Sequence, residues 1–259
     1  AALLAVNPGF RTENVMTMSL QLPGNRYKER GARDGFYTQA LAQIKAIPGV
    51  QEVGTAAVTP LTGNNWTSPF ERPEQPVAPG ERPPEVGWQL ASNGYFRALQ
   101  IPLVAGRLFD DRDDANAPAV VIVSEAIQKR FFPNESAVGK RVRLQGDQTA
   151  EIVGVVGNIR RAGLRDEPRA DMYFPFERNK PGQTTLFVRT ASNAEKALPA
   201  VTAAIKRFEP NAYVSDEQTL AHVASESERV TRVVLWLLGV FAATSLALAA
   251  IGIYGVMSY

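Results

Sequence analysis

Short apolar runs alternate with polar turns as far as residue 232, and from residue 233 the chain is wholly apolar or uncharged. Residues 15–22, VMTMSLQL, place apolar and β-branched positions in near alternation and end at Pro23-Gly24, the pattern of a strand entering a turn. Phe36, Ala40, Leu41, Ile44 and Ile47 then recur at helical spacing, with Asp34 in the first turn and Pro48-Gly49 closing the run. A second strand comes next at 50–58, VQEVGTAAV. The same order returns near the far end: TTLFVRT at 184–190, a stripe of Ala197, Leu198, Val201, Ile205 and Phe208, then AYVSD at 212–216. Both helices exit through a Pro shortly before an apolar strand start. Two such units sharing one sheet predict an α+β fold of the split β-α-β kind, ferredoxin-like or porter-like.

Between the units, residues 60–85 are rich in Pro, Gly, Asn, Glu and Arg and read as an exposed loop. Short strands are expected at 86–91, 119–123, 140–145 and 151–159, with helices at NGYFRAL and SEAIQKRFF. Ser124 is the expected N-cap of the second helix, which sets Ile127 and Phe131 on one face. The pattern therefore divides the chain into an α+β domain at 7–65 and 149–218 and a β-rich insertion at 66–148.

Residues 233–259, VVLWLLGVFAATSLALAAIGIYGVMSY, carry no formal charge. About 20 apolar residues in helix cross the hydrocarbon of a bilayer, so this run predicts a transmembrane helix. Trp236 lies near one end and Tyr254 and Tyr259 near the other, where aromatic rings anchor at membrane interfaces. Just upstream, Leu220, Val223, Ser227, Val230, Val234 and Leu237 are separated by 3, 4, 3, 4 and 3, which is heptad spacing. No Pro or Gly interrupts 219–238. Residues 219–232 are thus expected to form a stalk helix running on into the membrane segment, with Leu220, Val223, Val230, Val234 and Leu237 packing on a second helix. The alternative is an amphipathic helix lying on its own domain. Residues 1–6, AALLAV, end at Asn7-Pro8-Gly9 and read as the last turn of an earlier transmembrane or stalk helix, so both ends of the domain would meet the membrane side by side.

Charge and chemistry narrow the function. Lys and Arg total 28 and Asp and Glu 26, a formal charge of +2 with the signs interspersed, which gives no one-sided field for nucleic acid. Without cysteine there is no disulfide, no thiolate nucleophile and no Cys-based metal site. The single histidine, His222, stands in the stalk with no second ligand near it in sequence. FDDRDDAN gathers Asp110, Asp111, Asp113 and Asp114 but lacks the order of a calcium loop and holds Arg112 among the acids, so it reads as a solvated turn. No GxxxxGK[ST] occurs, and GVVGNIRRAGLR lacks G-x-G-x-x-G. No catalytic, cofactor-binding or metal-ligating residue is therefore expected, which leaves a mechanical or a binding role.

Longer phrases carry a resemblance: NPGFRTENVMTMSLQLP, RYKERGARDGFYTQALAQIKAIPGVQEVG, SNGYFRALQIPLVAGRLFDDRDD, VVIVSEAIQKRFFPNESAVGKRV, EIVGVVGNIRRAGLRDEPRADMYFPF and AAIGIYGVMSY. Together they resemble bacterial ABC transporter permeases of the MacB/FtsX type, the acidobacterial duplicated permeases most closely. The resemblance implies that residues 7–218 are periplasmic and that the helix through 233–259 descends through the inner membrane. It also implies a separate or fused ABC ATPase that uses ATP, a second permease unit as homodimer or internal duplicate, and a possible periplasmic adaptor. The work implied is mechanotransmission, the coupling of ATP-driven helix movement to efflux or extraction. A membrane-anchored module that binds a ligand or adaptor is the alternative.

Overall fold

A computed structural model describes residues 7–257 except 64, 65, 79, 145–147, 162, 164–166 and 168. Beyond residue 227 the side chains of 228, 230–233, 235, 247, 250–252 and 255–257 are also outside the description. The expected turn of helix at 1–6 and the expected anchor Tyr259 lie outside the described residues.

The first unit is β1 (Val15–Gln21), α1 (Arg30–Lys45) and β2 (Val50–Ala56). Its counterpart is β10 (Gln183–Thr190), α5 (Leu198–Phe208) and β11 (Tyr213–Thr219). The strands lie in the order β11-β1-β10-β2 and every neighbouring pair is antiparallel. This is the split β-α-β arrangement that the two sequence units predict. Alternation along the strands decides which residues meet the helices. Met16, Met18 and Leu20 of β1 and Leu186 and Val188 of β10 pack with Phe36, Tyr37, Ala40 and Ile44 of α1 and Val201 and Ile205 of α5. Val15 and Phe187 point to the opposite face, into a second core.

The sheet does not stop at β2. It continues through β4 (Glu85–Ala91), β9 (Asp171–Pro175), β6 (Val120–Ser124), β8 (Thr149–Val156) and β5 (Leu103–Gly106). Two short strands flank this path, β3 (Thr67–Pro69) on β4 and β7 (Arg141–Arg143) on β8. The helices here are α2 (Asn93–Leu99), α3 (Glu125–Phe131) and α4 (Phe176–Asn179). β8, grouped by the sequence with 149–218, hydrogen bonds to β5, β6 and β7. β5, β9 and α4 had no clear signal. β9 is a short run, DMYFP, that begins with an aspartate and ends on a proline, and its assignment comes from parallel pairing with β4.

α6 (Leu220–Met257) is one unbroken helix of 38 residues. Among the described residues, no helix is long and apolar enough to cross a membrane. The membrane-spanning segment expected at 233–259 is therefore not carried by the structure, and it rests on the uncharged sequence, part of whose side chains lie outside the description. Continuity, in contrast, is structural: at about 1.5 Å per residue, no break separates the root of α6 from its far end.

Candidate functional site: the root of the long helix

The place where α6 leaves the sheet is built by three local devices. β11 reaches it through a bulge, where its register against β1 shifts between Thr17 and Ser19 and Asp216 takes the left-handed backbone conformation at φ 53. A bulge bends its strand and re-aims the residues beyond it. Thr219 then caps the helix, its Oγ1 accepting the His222 N–H at 3.2 Å. One turn on, Leu220 and Val223 are 0% and 5% exposed and belong to the core formed by Phe10, Val15, Tyr95, Phe96, Tyr173 and Phe187. Burying two such side chains contributes about 1.5–3 kcal/mol each.

The segment that precedes β1 is fastened beside this root. Gly9 sits at φ +87, and a Cβ there would meet the Asn158 carbonyl oxygen at 1.9 Å, so only glycine fits. The Arg160 N–H donates to the Pro8 carbonyl at 2.9 Å and the Arg11 N–H to that of Leu99 at 2.8 Å. Arg189, 7% exposed, is the central clasp. Its Nε donates to the Ala98 carbonyl, its Nη1 to that of Glu13 at 3.0 Å and its Nη2 to that of Arg11 at 3.2 Å. Burial pulls this guanidinium below its ordinary pKa, opposed by Glu13. Three carbonyls replace the water it has lost, which makes its burial tolerable. Residues 7–13, Gln100, Pro102, Asn158 and Ala224 line an open groove of about 620 Å³ between this segment and the helix root.

The predicted packing positions divide at this point. Leu220 and Val223 face the domain's own core, so for them the helix lies on its own domain and the expected second helix is not needed. The side chain of Val230 is outside the description. Val234 and Leu237 are 50% and 45% exposed. Trp236 and Tyr254, the expected interface anchors, are both exposed, as are Leu238, Phe241, Leu246, Leu248 and Ile253 along the same helix. His222 is exposed at the root.

Other sequence candidates resolve into structure. Asp113 is buried and takes a bidentate grip from Arg107 at 2.7 and 2.8 Å, while its Oδ2 also accepts the Asp110 N–H. Asp110 in turn holds Arg112 through side-chain and backbone hydrogen bonds, which keep its carboxyl well below the usual range. The cluster is the turn expected, with Asp111, Arg112 and Asp114 exposed, and within it Asp113 is buried against Arg107. No group of His, Cys, Asp or Glu among the described residues is arranged to hold a metal. Ser124 stands at the N-cap position of α3, yet its Oγ accepts from the Asp171 N–H instead, and Asn158 Oδ1 accepts the Ala126 N–H of the helix. A cap supplied 32 residues away leaves no local signal. The clasp Arg189 was equally silent, since in TTLFVRT it reads as one polar position of a strand.

The family described as MacB-like periplasmic core domain matches residues 2–208 of this chain. The chain belongs to that family. Among curated relatives of this MacB-like chain, the macrolide export ATP-binding/permease protein MacB of Marinobacter nauticus is 25% identical over 269 residues, which is 98% of this chain and 40% of that protein. The uncharacterized ABC transporter permease YknZ of Bacillus subtilis is 27% identical over 277 residues, covering 99% and 66%. The chain thus spans 40% and 66% of the lengths of these two transporter permeases. The crystal structure of the periplasmic region of MacB from Actinobacillus actinomycetemcomitans aligns with a TM-score of 0.53 at 16% identity, over 85% of this chain and 94% of that one. At that identity the likeness is one of fold. A mixed sheet with helices on its faces is common to the two.

Proposed function

We propose that this MacB-like chain is a mechanotransmission domain: it receives movement from the membrane part of an ABC permease along α6 and delivers it to the periplasmic sheet. The observation that carries the reading is the continuity of α6. Its first turn is locked into the sheet's core by Leu220 and Val223, and the same helix runs on with Trp236, Phe241, Leu246, Leu248 and Tyr254 uncovered. A continuous helix transmits rotation and translation where a loop would absorb them. Exposed aromatic and aliphatic side chains in number on the part of α6 that carries no charge, from residue 233 on, match a hydrocarbon surrounding better than water. The run 233–259 is accordingly proposed as the membrane segment, with residues 7–218 in the periplasm. A second permease unit would cover the Val234 and Leu237 side, an ABC ATPase would hydrolyse ATP outside this chain, and an adaptor would meet the domain in the periplasm.

The test is a break in the lever. Ser225→Pro, in the full permease with its ATPase, removes a helix hydrogen bond between the buried root and the exposed run, at a cost of roughly 3 kcal/mol to the helix. Folding of the sheet and ATP hydrolysis are expected to persist while transport stops. Transport at the wild-type rate would overturn the reading.

A further inference from the structure

Four buried polar atoms at the sheet have no hydrogen-bond partner among the described residues: Tyr95 Oη, Tyr173 Oη, Arg161 Nη2 and Asp171 Oδ2. They share one neighbourhood. Arg161 and Asp171 form an ion pair, 5% and 1% exposed, through Nη1 and Oδ1 alone at 3.0 Å. Both tyrosines are fully buried, and Asp171 and Tyr173 stand two positions apart on β9, on one face of the strand. The rings of Tyr95 and Tyr173 both pack edge-on against Phe96, at 5.5 and 5.2 Å. Gln89 lies beside the Tyr95 hydroxyl without the geometry of a hydrogen bond.

The ion pair is not free to close on itself and satisfy its own remaining atoms. Asp171 is fixed by its own N–H on Ser124 Oγ and by the pairing of β9 with β4, and the Arg161 carbonyl accepts the Leu61 N–H at 2.7 Å. Gly87 closes the other side: a Cβ there would stand 2.0 Å from Asp171 Oδ1 and 2.8 Å from Arg161 Nη1, so the pair is seated directly on backbone. The pair is single-pronged, Nη1 to Oδ1, with Nη2 and Oδ2 left over.

We infer that Tyr95, Tyr173, Arg161 and Asp171 line an internal hydration site that holds ordered water. The chemistry of the four atoms is complementary to a water molecule. Arg161 Nη2 only donates, the ionised Asp171 Oδ2 only accepts, and each hydroxyl does either. Water accepts from the first, donates to the second and closes on the hydroxyls, and buried waters typically make about three such bonds. Tyr95 and Tyr173 belong to the same core that seats Leu220 and Val223, so the place of the site matters. Tyr95 reaches β10 through its ring contact with Phe187 at 5.1 Å, and Asp171 and Tyr173 stand on β9, so the water joins the two parts of the sheet.

Two measurements on the full chain decide it. A crystal structure at about 2 Å or better is expected to show a solvent peak within about 3 Å of at least three of the four atoms. A closed bidentate Arg161–Asp171 pair with no such peak would overturn the inference. Tyr173→Phe removes one partner of the water while leaving the ring. If the hydroxyl is hydrated, the melting temperature falls by about 2 to 4 °C. If the hydroxyl is a true orphan, its removal leaves the melting temperature unchanged or raises it, and that result overturns the inference.

Discussion

Ala56 and Ala91 form the single residue pair in register between β2 and β4, the point at which the four-stranded split β-α-β sheet becomes the longer sheet. Two backbone hydrogen bonds flank it, Ser92 N–H to the Thr55 carbonyl and Ala57 N–H to that of Leu90. So narrow a ladder cannot hold the two parts by itself. α2 adds the rest, because Gly94 and Gly54 let its first turn lie directly on β2, and Ser92 Oγ accepts both the Thr55 and the Tyr95 N–H.

The first prediction concerns that contact. A Cβ at Gly94 would meet the Val53 carbonyl oxygen at 1.8 Å, and one at Gly54 the Tyr95 nitrogen at 2.1 Å. Neither neighbour is a flexible side chain, so the elements must part. Gly94→Ala is expected to lower stability by about 1–3 kcal/mol or more, read from the midpoint of urea unfolding. Gly35→Ala, inside α1 where nothing lies within 4 Å, is the comparison of opposite sign, expected to raise stability by about 0.5–1 kcal/mol.

A second prediction separates the two halves of the heptad. Val223→Asp places a carboxylate in the core beside Leu220 and is expected to unfold the domain or destabilise it by more than about 3 kcal/mol. Leu237→Ala, at an exposed position and without adding a charge to the proposed membrane segment, is expected to leave the domain's circular dichroism and melting temperature unchanged. Any effect of Leu237→Ala on coupling is then read without loss of the fold.

The remote cap is a third target. Asn158→Ala takes the acceptor from the Ala126 N–H at the start of α3 and is expected to cost about 0.5–2 kcal/mol in an unfolding titration. Asn158→Asp keeps an acceptor and should restore most of it.

A fourth prediction concerns acid. Hydrogen bonds from Arg112 hold the Asp110 carboxyl low, and those from Lys140 and Arg72 do the same for Glu135. Lowered carboxylates contribute stability above the unfolded pKa, near 4, and lose it as pH falls through the folded value. Asp171 has the opposite sign. Burial raises it despite Arg161, so the folded protein takes up this proton more readily than the unfolded one, and its contribution is lost as pH rises through the folded value. The double variant Asp110→Asn/Glu135→Gln is expected to flatten the fall in urea midpoint between about pH 5 and pH 3. An unchanged slope would refute the assignment.

Much of the fold was legible because its signals are local. The periodicities of β1, α1, β10 and α5 survive in sequence, since each element buries a regular face. Helix α2 matched its expected bounds, NGYFRAL, with Ser92 capping it from the adjacent position. The heptad before residue 233 was legible as spacing but not as partner: spacing says that one face is buried, and only packing says against which surface. Leu220 and Val223 answered with the sheet, while Val234 and Leu237 are exposed.

The sequence by itself determined the two repeated units, the uncharged run from residue 233 and the absence of any thiol chemistry, because propensity, period and composition are properties of neighbouring residues. Tertiary structure alone decided that β8 pairs with β5, β6 and β7, that Asn158 caps a helix begun at Ser124, and that Arg189 clasps three carbonyls from two distant segments. Each of those contacts satisfies a buried polar group with a partner far along the chain. Burial creates that demand, and it exists only once the chain has folded.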